Sequence, residues 1–497
     1  MTANIQQTQR SKAINSLKEY IKPLGAITLL TSTLFATPKV VIKPNMQLQY
    51  KTTPNNIESI SDLISQGIWY GRVRSNTFFY DYKSQDRDHY VTGLGGSIIY
   101  KSAYYHDFGM TLGLYSTVNP IHMDDADATK YKPGKGVLSR YDVLSNSDYS
   151  MTSLTQAYLE YKNFKTSIKI GRQLFESMLT KSNDTKMIPN AFEGVSLESH
   201  YLNHTTIKLG YFTRMKLRDH STFHHILAYG DNANDPYAKY TQNDDSGVHK
   251  GLTLSKLQTN GIDDHLIIAQ IKNSSSDNLL LNLNYTSVPD LIAHASIEAK
   301  YTFNINGLKI SPAFRYIHQF DEGAGVIGGA NLKNSTLGYS NPTSMDSWLL
   351  AGRVDIVDNA WKLRFGYSKV ADKADLLTPW RGFPTGGYTR TMSQYNWYAN
   401  TTTYMIRADY NLGKAGLMEN TYALIRYAIH DFDDEKVGVQ ADNHTLTLDI
   451  MKQFMPNLYF KTRVGINRGE DDIVAMDSSI KSDPSYNEIR FELNYLF

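Results

Sequence analysis

Arginine recurs at alternate positions in short stretches rich in aromatic and β-branched residues: Arg72, Arg74, Arg214, Arg315, Arg353, Arg364, Arg407, Arg426 and Arg463. In each stretch the arginine shares a face with polar residues, while apolar residues occupy the other face. A guanidinium stays charged at any physiological pH. A row of them along a narrow aqueous passage would draw an anion or a carboxylate forward in steps. The acids Glu160, Glu298, Asp355, Asp409, Asp449 and Glu492 fall on the same polar faces. Set against the arginines, they would create a transverse field that orients dipolar solutes. A simpler reading fits the same residues: the charges pair with one another and merely keep an interior wet.

Other chemistry is harder to find. The chain carries no GxSxG, HExxH or Gly-Lys phosphate-loop motif, and His224-His225 has no partnering carboxylate close by in sequence. Asp124, Asp125 and Asp127 cluster, as do Asp431, Asp433, Asp434 and Glu435, but neither group has the spacing of a calcium loop. Both read as solvated loop charge. The absence of Cys removes disulfides, thiolate metal sites and cysteine nucleophiles, and suits passage through an oxidising periplasm. The expectation is a protein that is not an enzyme and needs no cofactor or metal.

The charged faces need strands to hold them. Ile489, Phe491, Leu493, Tyr495 and Phe497 alternate with Glu488, Arg490, Glu492 and Asn494, a period of two. Trp361, Leu363, Phe365 and Tyr367 alternate with Lys362, Arg364 and Ser368 in the same way. A small soluble barrel would have to pack those charges inside, whereas a wide one can hydrate them. Residues 67–497 divide into about 18 such segments, an even number as a membrane barrel requires. The stretch Lys250 to Leu257 also looks extended, but it falls in a connection.

Connection lengths alternate. Asn163-Phe164, Asn203-His204, Asn306-Gly307 and Asp358-Asn359 make tight turns, while long loops run over 118–152, 175–193, 218–263, 321–346, 371–401 and 468–486. All the long loops then lie on one side, as extracellular loops do in an outer-membrane barrel. After the N-terminus no apolar run approaches the roughly 18 residues of a helical span. Tyr is abundant at 35 residues and aromatics make up 12%, which suits strands and interfacial girdles. A net charge of +2, from 51 basic and 49 acidic residues, offers no field to attract nucleic acid.

Residues 1–36 read as a signal peptide, with Arg10, Lys12, Lys18 and Lys22 ahead of the apolar run Leu24 to Ala36. A buried amphipathic helix is the alternative. Residues 37–66 form a periplasmic lead-in, in which Asn56 to Gln66 suits a short amphipathic helix. Phe497, closing an alternating strand, resembles the C-terminal signal that barrel-assembly machinery recognises.

Residues 171–219, GRQLFESMLTKSNDTKMIPNAFEGVSLESHYLNHTTIKLGYFTRMKLRD, bear a family likeness. The GRQ strand end, the following MIPNAFEG stretch and the strand ending in GYFTR resemble the OprD-like outer-membrane porins, including campylobacterial major outer-membrane porins. The likeness extends loosely over the barrel, through LNYT at Leu283 to Thr286 and the last strand. It implies an all-β transmembrane up-and-down barrel of about 18 antiparallel strands. It also implies that the third extracellular loop, Phe175 to Glu193, folds inward as a constriction and that inward arginines form a basic ladder. Lys181, Asn183, Asp184 and Lys186 would be the polar residues of that loop. The sequence lacks an obvious match to the amino-acid or peptide pocket of the best-studied members.

These features lead to an expected porin of the bacterial outer membrane, giving passive diffusion of small hydrophilic solutes and ions through a constricted, Arg-lined lumen. Outer-membrane lipid, lipopolysaccharide and the assembly machinery are the expected partners, with a homotrimer and a monomer both open. A surface receptor or adhesin barrel with little transport is the alternative.

Overall fold

Period-two alternation commits a chain to extended backbone, with one face for each class of residue. The structure, a computed structural model, describes residues 40–83, 86–243, 247–276, 278–392 and 394–497. The expected signal peptide lies outside them. The strands are β1 (Ile68–Tyr82), β2 (His89–Lys101), β3 (Phe108–Ile121), β4 (Ser150–Asn163), β5 (Thr166–Gln173) and β6 (Ala191–Ser199). Next come β7 (Thr205–Lys216), β8 (Leu266–Ser276), β9 (Leu279–Val288), β10 (Ile292–Tyr301), β11 (Leu308–Asp321) and β12 (Ser347–Val357). The series ends with β13 (Trp361–Val370), β14 (Thr402–Asn411), β15 (Thr421–Asp431), β16 (Asn443–Met455), β17 (Leu458–Gly469) and β18 (Tyr486–Leu496).

These 18 strands pair antiparallel, each with its neighbours, into a closed barrel. Closure comes from β18 lying against β1, in register from Tyr486 opposite Tyr82 to Leu496 opposite Arg72. The barrel therefore has no exposed sheet edge, which is what lets strands cross a membrane. At the tight end, Asn306 and Gly307 both have positive φ, 50° and 84°, as a two-residue hairpin turn requires.

The two faces of the wall are inverted relative to a soluble protein. Trp69, Val73, Phe79, Leu159, Ile170 and Phe365 are exposed on the outside. Arg72, Arg74, Asp355, Asp409, Asp449 and Glu488 are buried within. An apolar exterior around a charged interior is stable only where lipid surrounds the wall.

Long loops from the wide end fill the mouth. Phe175, Leu179, Phe212, Ile226, Leu332 and Trp380 belong to one buried cluster built largely from loop residues. Residues 250–257 differ from the extended stretch expected there: α1 (Leu254–Thr259) is a short helix whose N-cap Thr253 accepts a hydrogen bond from Lys256 N. Before the barrel, the expected helix over 56–66 shrinks to one turn, Asp62–Ser65, because β1 begins just beyond Gly67. Upstream of it, Val40–Ile42 pairs antiparallel with Leu48–Tyr50 in a small hairpin.

Candidate functional site: an arginine ladder under two inward loops

Three neighbouring strands bring three arginines into one row. Arg364 on β13 lies opposite Arg407 on β14, which lies opposite Arg426 on β15. Arg463 on β17 similarly faces Arg490 on β18. Like charges directly opposed destabilise a sheet, so each needs compensation. Arg364 makes a bidentate pair with Asp355, Nε to Oδ1 at 2.5 Å and Nη2 to Oδ2 at 2.9 Å. Arg407 donates to Asp409 at 2.7 Å, Arg463 to Asp449 at 2.6 Å and Arg315 to Glu298 at 2.9 Å, and Arg490 pairs with Glu488. Arg426 differs: among the described residues it makes no ion pair, and its Nη1 donates only to the Arg390 carbonyl at 3.2 Å.

Two loops close over this wall. The loop at 371–401 lays its backbone on the ladder: Arg315 donates to the Pro384 and Gly386 carbonyls at 2.7 and 3.0 Å, and Arg353 and Arg364 both donate to Gly387 O. From across the barrel, the loop at 174–190 anchors through Asp184, which sits between Arg72 and Arg74. Lys186 stands 3.9 Å from the centre of the Phe78 ring, a cation–π contact. Burial, with Arg490, Arg218 and Lys135 nearby, pulls its ammonium well below the ordinary lysine range.

The loops also bind each other. Thr180 and Arg381 form an antiparallel bridge, Lys181 N donates to Trp380 O at 3.0 Å, and Gly382 N donates to Leu179 O at 2.9 Å. Asn183 Nδ2 adds a bond to Arg381 O at 2.8 Å. Behind them, buried Asp375 accepts from Leu332 N, Ala399 N and the Tyr339 hydroxyl, tying the 371–401 loop to the preceding one. Burial raises its carboxyl to about 6. On the outer side a cavity of about 670 Å³ is lined by Tyr82, Arg87, Lys130, Lys132, Arg140 and Tyr486. On the inner side a cavity of about 710 Å³ is lined by Lys43, Gln47, Glu160, Lys169, Glu198 and Lys208.

Residues 125–450 match the model of the OprD family, described as outer membrane porin. This chain belongs to the OprD family of outer-membrane porins. It resides in the bacterial outer membrane and forms a channel for small solutes. Solved structures share the fold at low identity. OccAB3 of Acinetobacter baumannii superposes with a TM-score of 0.67 at 15% identity, covering 87% of this chain and 100% of that one. OccK8 (OprE) of Pseudomonas aeruginosa gives 0.65 at 14%, covering 88% and 99%. OpdK of Pseudomonas aeruginosa, solved with vanillate, gives 0.63 at 12%, covering 88% and 99%. No curated protein matches the chain.

In this porin the residues singled out by alternation are distributed as follows. Arg72 and Arg74 are buried against Asp184 of the 174–190 loop, and Arg315, Arg353, Arg364, Arg407, Arg426 and Arg463 lie along the ladder. Glu298, Asp355, Asp409 and Asp449 hold the ladder's guanidinium groups. Glu160 is elsewhere, on β4, where it accepts from Tyr104 at 2.7 Å and Ser167 at 2.6 Å. Glu492 accepts from Asn494 Nδ2 at 3.1 Å. Lys181 stands 3.7 Å from Glu176. Phe497 exchanges backbone hydrogen bonds with Gly71.

Arg214 is a correction. The register between β6 and β7 slips between Glu193 and Gly194, which leaves Thr213 without a partner and reverses the alternation beyond it. Phe212 and Met215 are both buried, while Arg214 is exposed opposite Glu193, the carboxylate that takes Arg172 Nε at 2.8 Å. Arg214 therefore points away from the lumen. His225, read as lacking a carboxylate, pairs with Asp264 at 2.8 Å, far along the chain. Alternation puts Glu488 and Arg490 on a polar face without marking them as pore-lining, and it gives the 371–401 loop no inward role. The loop carried a signal, since Trp380, Phe383, Tyr388 and Trp397 are too apolar for a stretch left in water.

Proposed function

We propose that this porin passes small hydrophilic solutes by passive diffusion and favours anions and zwitterions, which step along the arginine ladder at its constriction. The supporting observation is the row Arg364, Arg407, Arg426, whose last member has no acid partner among the described residues. Opposing three guanidinium groups costs stability, and a passing anion supplies the missing counter-charge for as long as it is bound. Paired acids around the row hold the side chains in place while leaving a surplus of positive charge. Vanillate, the anion in the OpdK structure, makes a suitable first organic probe.

The test is reconstitution in a planar bilayer under a salt gradient. A reversal potential on the anion side is expected, and Arg426→Gln should lower the anion-to-cation permeability ratio roughly threefold. A cation-side potential in the wild-type protein, or an unchanged ratio in the variant, would discard the ladder reading.

A further inference from the structure

The hairpin ahead of the barrel lies inside the lumen. Its strands, Val40–Ile42 and Leu48–Tyr50, are joined by a turn in which Lys43 N donates to Gln47 O and Met46 takes a positive φ of 66°. Val40 is buried in one cluster with the lumenal residues Tyr70, Ile99 and Tyr115, and the Tyr50 and Tyr70 rings lie 5.5 Å apart. The turn reaches the underside of the 174–190 loop. Arg72, which pairs with Asp184 in that loop, also donates Nη1 to Met46 O at 2.8 Å. Gln47 Nε2 donates to Ser182 Oγ at 2.7 Å and to Glu176 Oε1 at 3.2 Å. Ser182 Oγ in turn donates to the same Glu176 oxygen at 2.6 Å.

The hairpin also borders two adjoining cavities of the inner vestibule, and Lys43, Gln47 and Gln49 line both. Leu48 and Tyr50 border a cavity of about 300 Å³ beside Tyr70, Ile99 and Tyr115. Lys43, Gln47 and Gln49 border the larger one, about 710 Å³, beside Glu160 and Lys208. A segment wedged between wall and loop, and bonded to both, restricts where the loop can move.

We propose that the hairpin Val40–Tyr50 is a lumenal brace, and that Gln47 is a positioning residue setting the height of the constriction loop from below. It does not touch the ladder. The donor on Gln47 holds Glu176 and Ser182, and Arg72 couples the turn to Asp184. The inference rests on the channel reading of the lumen but not on its ionic preference.

The chain has no Cys, so a Gln47→Cys and Ser182→Cys pair in the full-length protein offers the only thiols. Dibromobimane, which fluoresces when it bridges two thiols, should become fluorescent on this pair in intact outer membranes and on neither single variant. In bilayers, Gln47→Ala should raise single-channel conductance roughly 1.5-fold and increase open-channel noise. Gln47→Lys, which keeps a donor toward Glu176 and Ser182, should behave as the wild type. The mobility shift of unheated protein on gels verifies that each barrel is folded. Absence of bridging would place the hairpin outside the lumen and overturn the proposal. Bridging combined with wild-type conductance and noise in Gln47→Ala would overturn the bracing role. Because conductance and noise are read at symmetric salt, failure of anion preference leaves this test intact.

Discussion

At the scale of single residues, the lumen holds charges by two different means. Along the ladder, arginines other than Arg426 are fixed by carboxylates on their own or adjacent strands, and Asp355 serves Arg364 and Arg353 together. In the loops, by contrast, buried Asp375 is held by Leu332 N, Ala399 N and the Tyr339 hydroxyl, with Lys333 near enough to favour its charged form. Its carboxyl lies near 6, above the ordinary value of 3.8, so the docked loops favour the protonated form. That contribution is complete below the ordinary carboxylate value and is lost as pH rises through about 6. Hydrogen exchange in 330–345 and 371–401, corrected for intrinsic rates, should therefore show greater protection at acidic pH than at neutral pH. Asp375→Asn should abolish the difference. Equal protection at both pH values in the wild type would contradict it.

At the scale of elements, strand regularity decides which face a side chain takes. Where strands run without interruption, as in β13 to β15, parity alone assigns the face, and a reader of the sequence can follow it. The bulge at Thr213 inserts one residue, and everything beyond it changes side. Arg214→Gln should thus leave the anion-to-cation ratio of the channel unchanged, and a measured fall would return Arg214 to the lumen. Loops obey no such period. The bond between the 174–190 and 371–401 loops depends on Gly382, where an added Cβ would lie 2.2 Å from the Leu179 carbonyl carbon. Gly382→Ala should part the loops and raise conductance, read at symmetric salt, with barrel folding preserved because no strand is touched. Wild-type conductance would show that the bridge does not limit the opening.

At the scale of the whole molecule, a nearly neutral chain of net charge +2 sets arginines directly opposite one another on β13 to β15 and on β17 and β18. The anion preference proposed for the channel would come from placement and not from total charge. Screening sets its range: the Debye length falls from about 10 Å at 0.1 M salt to about 3 Å at 1 M. The anion-to-cation ratio should therefore decline as salt rises across that interval, most steeply for solutes held at a distance from the ladder. A ratio independent of salt would mean that selection occurs by direct contact alone.

The sequence by itself determined the wall. Alternation of outward apolar and inward polar residues, tight turns such as Asn306-Gly307 and the regular swing between short and long connections are local properties. They suffice for a membrane barrel because each strand bonds to its chain neighbours and only β18 to β1 must close at long range. Only the tertiary structure decided the passage. The bridge of Thr180 to Arg381, the pairing of Arg72 with Asp184, the partnership of His225 with Asp264 and the reach of Gln47 to Ser182 join residues far apart in the chain. Contacts of that kind depend on where loops and the leading hairpin meet inside a closed barrel, and no period in the sequence encodes such a meeting.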